Sequence, residues 1–536
     1  MRETSGVTAR IAAAMTRAQS GKPTEAASDL RLLLTELGPE PSSERAAAEY
    51  VRAVAAHHAT DAEAALDAVD ACIRVSRAID EPGWEANAHA VRIVTLIRTG
   101  EGGDSVADLV AAENALARTR DPGLKSWAHT GLGYAYDLLR LFELCIPHFE
   151  YAAAADVDPL GLPESPAINR LNLAESNLRW AHEMERLGDP AYDEEILRRR
   201  QEAKRWAAEA NEVIVRANLI GYWPMTGRMW LAASDFDADP AEAAVILKDC
   251  RDQLVKVGRL ELAAIAGAYL AKAFASLGRI DEATEAAERS ANDLPPTSDP
   301  PVEALVRHTA VRIVAESGDA GAAAGLQYAR AITRGWWAER LRGLYAVRSA
   351  LATHDLSIRH DAEWRAARED PLTGVGNRRA LDERMSAALE SGRSVAVLAI
   401  DVDNLKVVND SHGHACGDEV LRRVAQLLTE QCRAEDVVAR AGGDEFVVVL
   451  DNPDERGANE LVERIKAAAE RVARGAIEPW FAMLRLSIGH ASSTDGTPVS
   501  ELLTAADSRM YQEKRRRRSG PSVGEEPFGD EAGDLR

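Results

Sequence analysis

Val437-Val438-Ala439-Arg440-Ala441-Gly442-Gly443-Asp444-Glu445-Phe446-Val447-Val448-Val449-Leu450 decides how the rest of this chain is read. Two runs rich in β-branched residues flank a Gly-Gly-Asp turn, which is the pattern of a β-hairpin with two acidic side chains at its tip. Glycines leave room for a phosphate, and Asp444 and Glu445 offer hard oxygens to a divalent cation. A plain turn with a solvated Glu fits the same residues, so the neighbourhood has to decide. Upstream, Ser394 to Ile400 reads as a buried strand ending at Asp401-Val402-Asp403, and open α/β sheets bind ligands at such carboxyl ends. Asn404 to Asp410, Gly413-His414 and Gly417-Asp418 then read as a second loop with polar groups on the same rim.

Taken in order, Asp370 to Arg379, Asp401 to Asp418, Arg433 to Asp436, Gly442 to Phe446, Ser487 to Gly489 and Ala506 to Arg518 resemble the motifs of the GGDEF family of diguanylate cyclases. The resemblance covers about 150 residues. It implies a nucleotidyl-cyclase-like α/β domain that joins two GTP molecules into cyclic di-GMP, releasing two pyrophosphates. By resemblance, Asp401 and Asp444 carry the metals with the Val402 carbonyl assisting, two Mg²⁺ or Mn²⁺ ions per half-site. Glu445 then stands beside the attacking hydroxyl, as base or as transition-state stabiliser. Catalysis would rest on Asp401, Asp444 and Glu445. The backbone of Asn404, Leu405 and Lys406 and the turn at Gly442 and Gly443 would cradle phosphates, with positive charge from Lys406, Lys514 and Arg518. Asn409 and Asp418 match positions that read guanine, and Asp370 and Arg440 match positions that brace the fold. Arg433 and Asp436 match the product-inhibition site for cyclic di-GMP. Two departures stand out: Arg517 replaces the usual glycine, which puts the path of Arg518 in question, and Leu405 replaces the common Phe. Each half-site takes one GTP, so the resemblance implies a homodimer. A catalytically silent cyclic di-GMP receptor and a helical-repeat signalling scaffold are the alternatives, and the intact Asp401, Asp444 and Glu445 argue against both.

The other residues set the context. A chain of 536 residues exceeds a single core. Its net charge of −22 argues against nucleic-acid and anionic-lipid surfaces. No apolar run reaches membrane-spanning length, and the N-terminus has no signal-peptide pattern, so a cytoplasmic protein is expected. Cys72, Cys145, Cys250, Cys416 and Cys432 are scattered with no C-x-x-C pair, as expected of reduced thiols.

Residues 1–335 are rich in Ala, Leu, Glu and Arg with helical periodicity. Turns at Gly21, Gly100, Arg140, Gly278 and Gly318 recur in several places at intervals of about 40 residues, the signature of stacked helix pairs. The unit from Ala271 to about Pro295 resembles a tetratricopeptide repeat, so an all-α helical-hairpin solenoid is expected, irregular between Leu187 and Asp239. Such an array offers a surface to a protein or peptide partner. Trp127, Trp180, Trp206, Trp230, Trp336 and Trp337 are expected in its core. Residues 336–369 read as one helical connector with Leu341, Leu344, Leu351 and Leu356 as seam positions, either capping the array or pairing two chains. The cyclase-like domain is expected over 370–518 and a disordered acidic tail over 519–536. Within that domain the pattern predicts helices at Arg378–Glu390, Gly417–Gln431, Glu455–Ala473 and Val499–Lys514, around the strands already named and one near Leu484–Gly489.

Overall fold

The computed structural model describes residues 6–100, 105–295, 298–391, 393–451, 456–493 and 497–518, with backbone alone at 361, 389, 391 and 518. The expected acidic tail lies outside the described residues. Two compact units emerge, Met1–His354 and Asp355–Arg536, and the division falls inside the stretch read as a connector.

The first unit is all-helical, its described helices running from Gly6–Gln19 to Ala320–Arg368. Alanine is the commonest buried residue and lets helices pack closely. In the pair Leu260–Ser276 and Ile280–Asp293, Ala283, Ala287 and Ser290 line the buried stripe of the second helix. Gly278 turns between them at φ +71°, a left-handed conformation that a side chain resists. Arg140 adopts a similar φ of +61° at its own turn, where its guanidinium is held by both carboxylate oxygens of Glu183. The expected irregular middle, Leu187 to Asp239, holds the helices Asp193–Arg216 and Trp223–Ser234, and the first of these packs along the long helix before it, Ser165–Leu187. Trp127, Trp180, Trp206 and Trp230 are buried and Trp337 is partly buried, whereas Trp336 is half exposed and does not belong to the core.

Ala320–Arg368 is a single helix of 49 residues, starting well before Trp337. Thr333, Arg340, Leu344 and Val347 are buried along it and Leu351 packs partly against the first unit's core. These positions recur every three, four or seven residues, one face of a helix. Arg340 reaches Glu143 at 2.7 Å. Leu344 and Leu351 are therefore spent on capping, while Leu356, Ile358 and Trp364 further along are exposed.

The second unit is built on an antiparallel sheet of β1 (Val395–Val402), β2 (Val437–Gly442), β3 (Glu445–Asp451) and β4 (Leu486–Ser492), in the order β2-β3-β1-β4. β1 is buried along its whole length, which explains its unbroken apolar sequence. Alternate residues serve two cores. Ala396, Leu398, Ile400 and Val402 pack with helices His414–Gln431 and Gly457–Gly475 on one face. Val395, Val397 and Ala399 pack with Arg378–Ser391 and the final helix, Leu502–Arg518, on the other. By that parity Asp401 belongs to the final helix's face.

Two local expectations are corrected. The stretch after Asp403 is not an open loop: Leu405–His412 is a short helix, because Leu405 and Val408 bury one side of it. Asn404, at φ +61°, makes the sharp entry. The final helix begins at Leu502 after a 3-10 turn and continues to Arg518, beyond Lys514.

Candidate active site

Antiparallel pairing brings the end of β1 beside the start of β3. Asp401 pairs in register with Glu445 and, on its other side, with Ser487 of β4. The Val402 N–H donates to the Asp444 carbonyl at 3.0 Å, so the hairpin turn is tied to the end of β1. Asp401, Asp444 and Glu445 therefore share one rim.

Asp401 is only 5% exposed, and its two oxygens each accept from Lys514 Nζ at 2.6 Å. Burial raises the Asp401 carboxyl above its ordinary value, the Lys514 ammonium opposes that, and Asp444 and Asp403 push it further up. Glu445 is exposed and also shifted upward, by desolvation and then by Asp507, Asp444 and Asp401. The rim thus concentrates negative charge beyond what its lysine neutralises. Asp403 accepts from the Ser487 hydroxyl at 2.9 and 3.0 Å and lies 3.5 Å from Arg517.

Asp401, Asp444 and the Val402 carbonyl suit Mg²⁺, which is held by one or two carboxylates and keeps water and substrate phosphates as its remaining ligands. No three His, Cys, Asp or Glu side chains are gathered in ligand geometry among the described residues. The donor set fits an ion completed by a bound nucleotide.

The glycines of the motifs have steric reasons. A Cβ on Gly489 would lie 2.1 Å from Met510 N and 2.2 Å from Ala506 O, so this glycine lets the final helix lie directly on β4. Lys514 depends on that approach to reach Asp401. A Cβ on Gly417 would meet Asn409 Oδ1 at 1.9 Å, so Gly417 seats the Asn409 side chain against the start of the helix that carries Asp418. Gly443 turns at φ +53°. Lys406 is exposed at the start of its short helix, and Asn404 and Gly442 are exposed on their turns.

Arg440 clamps this turn. Its guanidinium donates to the Gly443 carbonyl at 3.0 and 2.6 Å and to Asp370 at 3.1 and 3.3 Å. Asp370 also accepts from the Thr373 N–H and hydroxyl at 3.0 and 2.7 Å. Burial alone would raise the Asp370 carboxyl; Thr373 and Arg440 together hold it below its ordinary value. Asn377 fastens the same turn to the end of the long helix, donating to the carbonyls of Ala367 and Arg368 at 2.9 and 2.7 Å.

Arg433 and Asp436 lie apart from that rim, on the turn before β2. Asp436 accepts from the Arg433 N–H at 2.9 Å and the Asp451 N–H at 3.3 Å, and the Arg433 side chain is exposed. Sequence reasoning missed Arg517 as a site neighbour. It donates to the Leu486 carbonyl at 2.9 Å, pairs with Glu513 and faces Asp403. The signal was its departure from glycine in a helix whose register was already fixed by Lys514. The side chain of Arg518 lies outside the described residues.

Residues 367–520 match the family described as "Diguanylate cyclase, GGDEF domain". The chain thus carries a GGDEF domain at its C-terminal end. Diguanylate cyclase DosC of Escherichia coli K12 is 38% identical over 154 residues, 28% of this chain and 34% of that protein. The bifunctional diguanylate cyclase/cyclic di-GMP phosphodiesterase MucR of Pseudomonas aeruginosa is 36% identical over 160 residues, 29% of this chain and 23% of its own. Among solved structures, the GGDEF domain of DgcB from Caulobacter crescentus in complex with c-di-GMP is 28% identical, with 28% of this chain and 91% of that chain covered and a TM-score of 0.25. The chain spans about a third or less of the length of these two curated relatives.

Proposed function

We propose that this protein is a metal-dependent diguanylate cyclase that condenses two GTP into cyclic di-GMP and two pyrophosphates. The observation that carries the reading is the junction of Asp401, Asp444 and Glu445 on one rim, with Lys514 bonded to Asp401. The relatives named as diguanylate cyclases support it over the domain that holds this rim.

In each of two successive steps a ribose 3′-hydroxyl attacks an α-phosphorus. One P–O bond forms, the bond to pyrophosphate breaks, and the hydroxyl proton must leave. Glu445 is the group on hand for that proton or for the charge that follows it; its raised pKa makes it a better base than an ordinary carboxylate. Asp401 and Asp444 would hold the divalent ions with Val402. Such ions, when bound, acidify the hydroxyl and neutralise charge on the phosphate oxygens. Lys514 would turn from Asp401 toward phosphate, joined by Lys406 and Arg518, while the backbone at Asn404, Leu405, Gly442 and Gly443 contacts the polyphosphate. Asn409 and Asp418 read the guanine edge.

A cyclic product needs both half-sites, so two chains meet face to face as a homodimer. The exposed Leu356 and Trp364, eight residues apart on the same side of the helix after the capping stretch, offer the pairing face for the connectors. The helical unit is a tetratricopeptide-like solenoid that receives a partner and adjusts how the catalytic domains meet. Exposed Arg433, with Asp436, grips cyclic di-GMP as an inhibitor. No described helix is long and apolar enough to cross a membrane.

Purified full-length protein incubated with GTP and Mg²⁺ should yield cyclic di-GMP by chromatography with mass detection, and Glu445→Gln should yield none. Wild-type protein that binds cyclic di-GMP but makes none, with or without the helical unit, would replace the enzyme by a receptor.

A further inference from the structure

The helical unit contains a chamber of about 410 Å³ walled by Tyr50, Trp127, Tyr134, Tyr222, Trp223 and Trp230. A second space of about 180 Å³ adjoins it, and His57, His58, Val94, Tyr134, Asn172 and Glu175 border both. The larger space has the size and aromatic lining of a small-ligand site. The smaller one is charged.

Arg179 pairs there with Asp137 and with Glu175, each at 2.7 Å, and Ser176 also donates to Asp137 at 2.6 Å. Asp299 borders the same space and makes no capping bond to the helix it precedes. Arg98 lies at its edge, 3.3 Å from His57 Nε2. Burial holds His57 and His58 far below their ordinary range, at about 3 and about 4, so both rings are neutral. Arg259, on the wall of the larger chamber, is stacked over Tyr222 and donates to the Gln19 carbonyl. Glu175 is raised to about 7, by burial first and then because Asp137, Glu261 and Asp299 add to it against Arg179. Carboxylates exceed cations at this end.

Asn172 stands at the seam between the two spaces and is 8% exposed. The Tyr134 hydroxyl donates to its Oδ1 at 3.1 Å. Its Nδ2 has no acceptor among the described residues. A buried N–H without a partner is a donor waiting for a ligand oxygen.

We propose that this chamber binds the free N-terminus of a short apolar peptide. The α-ammonium lies between Glu175 and Asp299, the first carbonyl accepts from Asn172 Nδ2, and apolar side chains fill the aromatic chamber. An N-terminal residue carries an ammonium, an adjacent acceptor and an apolar branch in this order. A simple alkylamine lacks the acceptor, and a nucleotide lacks both the cation and the apolar body.

The test is equilibrium dialysis of the full-length protein against an equimolar pool of tetrapeptides built from Ala, Val, Leu and Phe, with mass detection, beside the same pool N-acetylated. The free-amine pool should be retained at least tenfold better than the acetylated pool. Asn172→Leu and Asp299→Asn should each cut retention at least fivefold with helical circular dichroism unchanged. Asp299 is partly exposed and caps nothing, so its variant serves even where Asn172→Leu disturbs folding. Retention of neither pool, equal retention of both, or full retention by Asp299→Asn overturns the proposal.

Discussion

Replacing Arg440 by Met would remove the guanidinium and keep most of its apolar stem. The side chains of Arg440 and Asp370 are 14% and 17% exposed, so the pair is mostly but not fully desolvated. Removing one partner of a buried pair costs about 3–5 kcal/mol, and a charged hydrogen bond about 1.5–3 kcal/mol. Water can reach part of Asp370, which also retains Thr373, so the expected loss is about 2–3 kcal/mol for the second unit. At roughly 2–4 °C per kcal/mol for a unit of this size, its Tm falls by roughly 4–12 °C. The sign with pH follows from the depressed Asp370 carboxyl. Its stabilisation is complete above the unfolded value of about 3.9 and is lost as pH falls through the folded value, so wild type and Arg440→Met converge below about pH 4. Hydrogen exchange adds a local readout: the peptide covering Gly442 to Glu445 should exchange faster in Arg440→Met, because Gly443 loses both bonds to its carbonyl. Arg440→Lys should lie between, since a point charge serves Asp370 without forking to Gly443. An unchanged Tm together with unchanged exchange at the turn would refute the clamp.

Gly489→Ala forces a methyl into the backbone of the final helix and should abolish cyclic di-GMP formation, with a Tm loss larger than that of Arg440→Met, both read on one preparation. Gly417→Ala meets a side chain instead, so the domain should fold while the KM for GTP rises at least tenfold; an unchanged KM would detach Asn409 from nucleotide binding. Glu175 has a folded pKa of about 7, above its unfolded value near 4.5, so its contribution is fully present below the unfolded value and lost as pH rises through 7. With its side chain a quarter exposed, the swing is about 1–3 kcal/mol, and Glu175→Gln should flatten the decline in the helical unit's Tm between pH 5 and 8.

The strands, the hairpin and the acidic rim were legible in the sequence because each rests on local chemistry: β-branched runs, a Gly-Gly turn, carboxylates at strand ends. Leu405–His412 was not, because Asn404, Asn409 and Asp410 spell a turn and the helix there is decided by burying only Leu405 and Val408. The start of the long helix was missed for a related reason. Gly335, where the boundary was drawn, looks like punctuation, and packing of Thr333, Arg340 and Val347 on the first unit overrides it. Lys514 was read as a phosphate contact, and its bond to Asp401 comes from strand parity that no motif spells out.

That parity explains why the motifs at the two ends of the domain belong together. Asp401, Glu445 and Ser487 share a face because they stand in register on three neighbouring strands. The final helix covers this face, and Gly489 sets its height by admitting its backbone. From the opposite direction, the end of the long helix reaches the same rim through few bonds. Asn377 holds Ala367 and Arg368, the neighbouring turn places Asp370 on Arg440, and Arg440 holds the Gly443 carbonyl one residue from Asp444. A displacement of Arg368 relative to the sheet therefore has to break or drag the Asp370–Arg440 pair, and the group next dragged is the turn that carries Asp444 and Glu445. The same bonds that stabilise the domain make its acidic rim sensitive to how the connector is held.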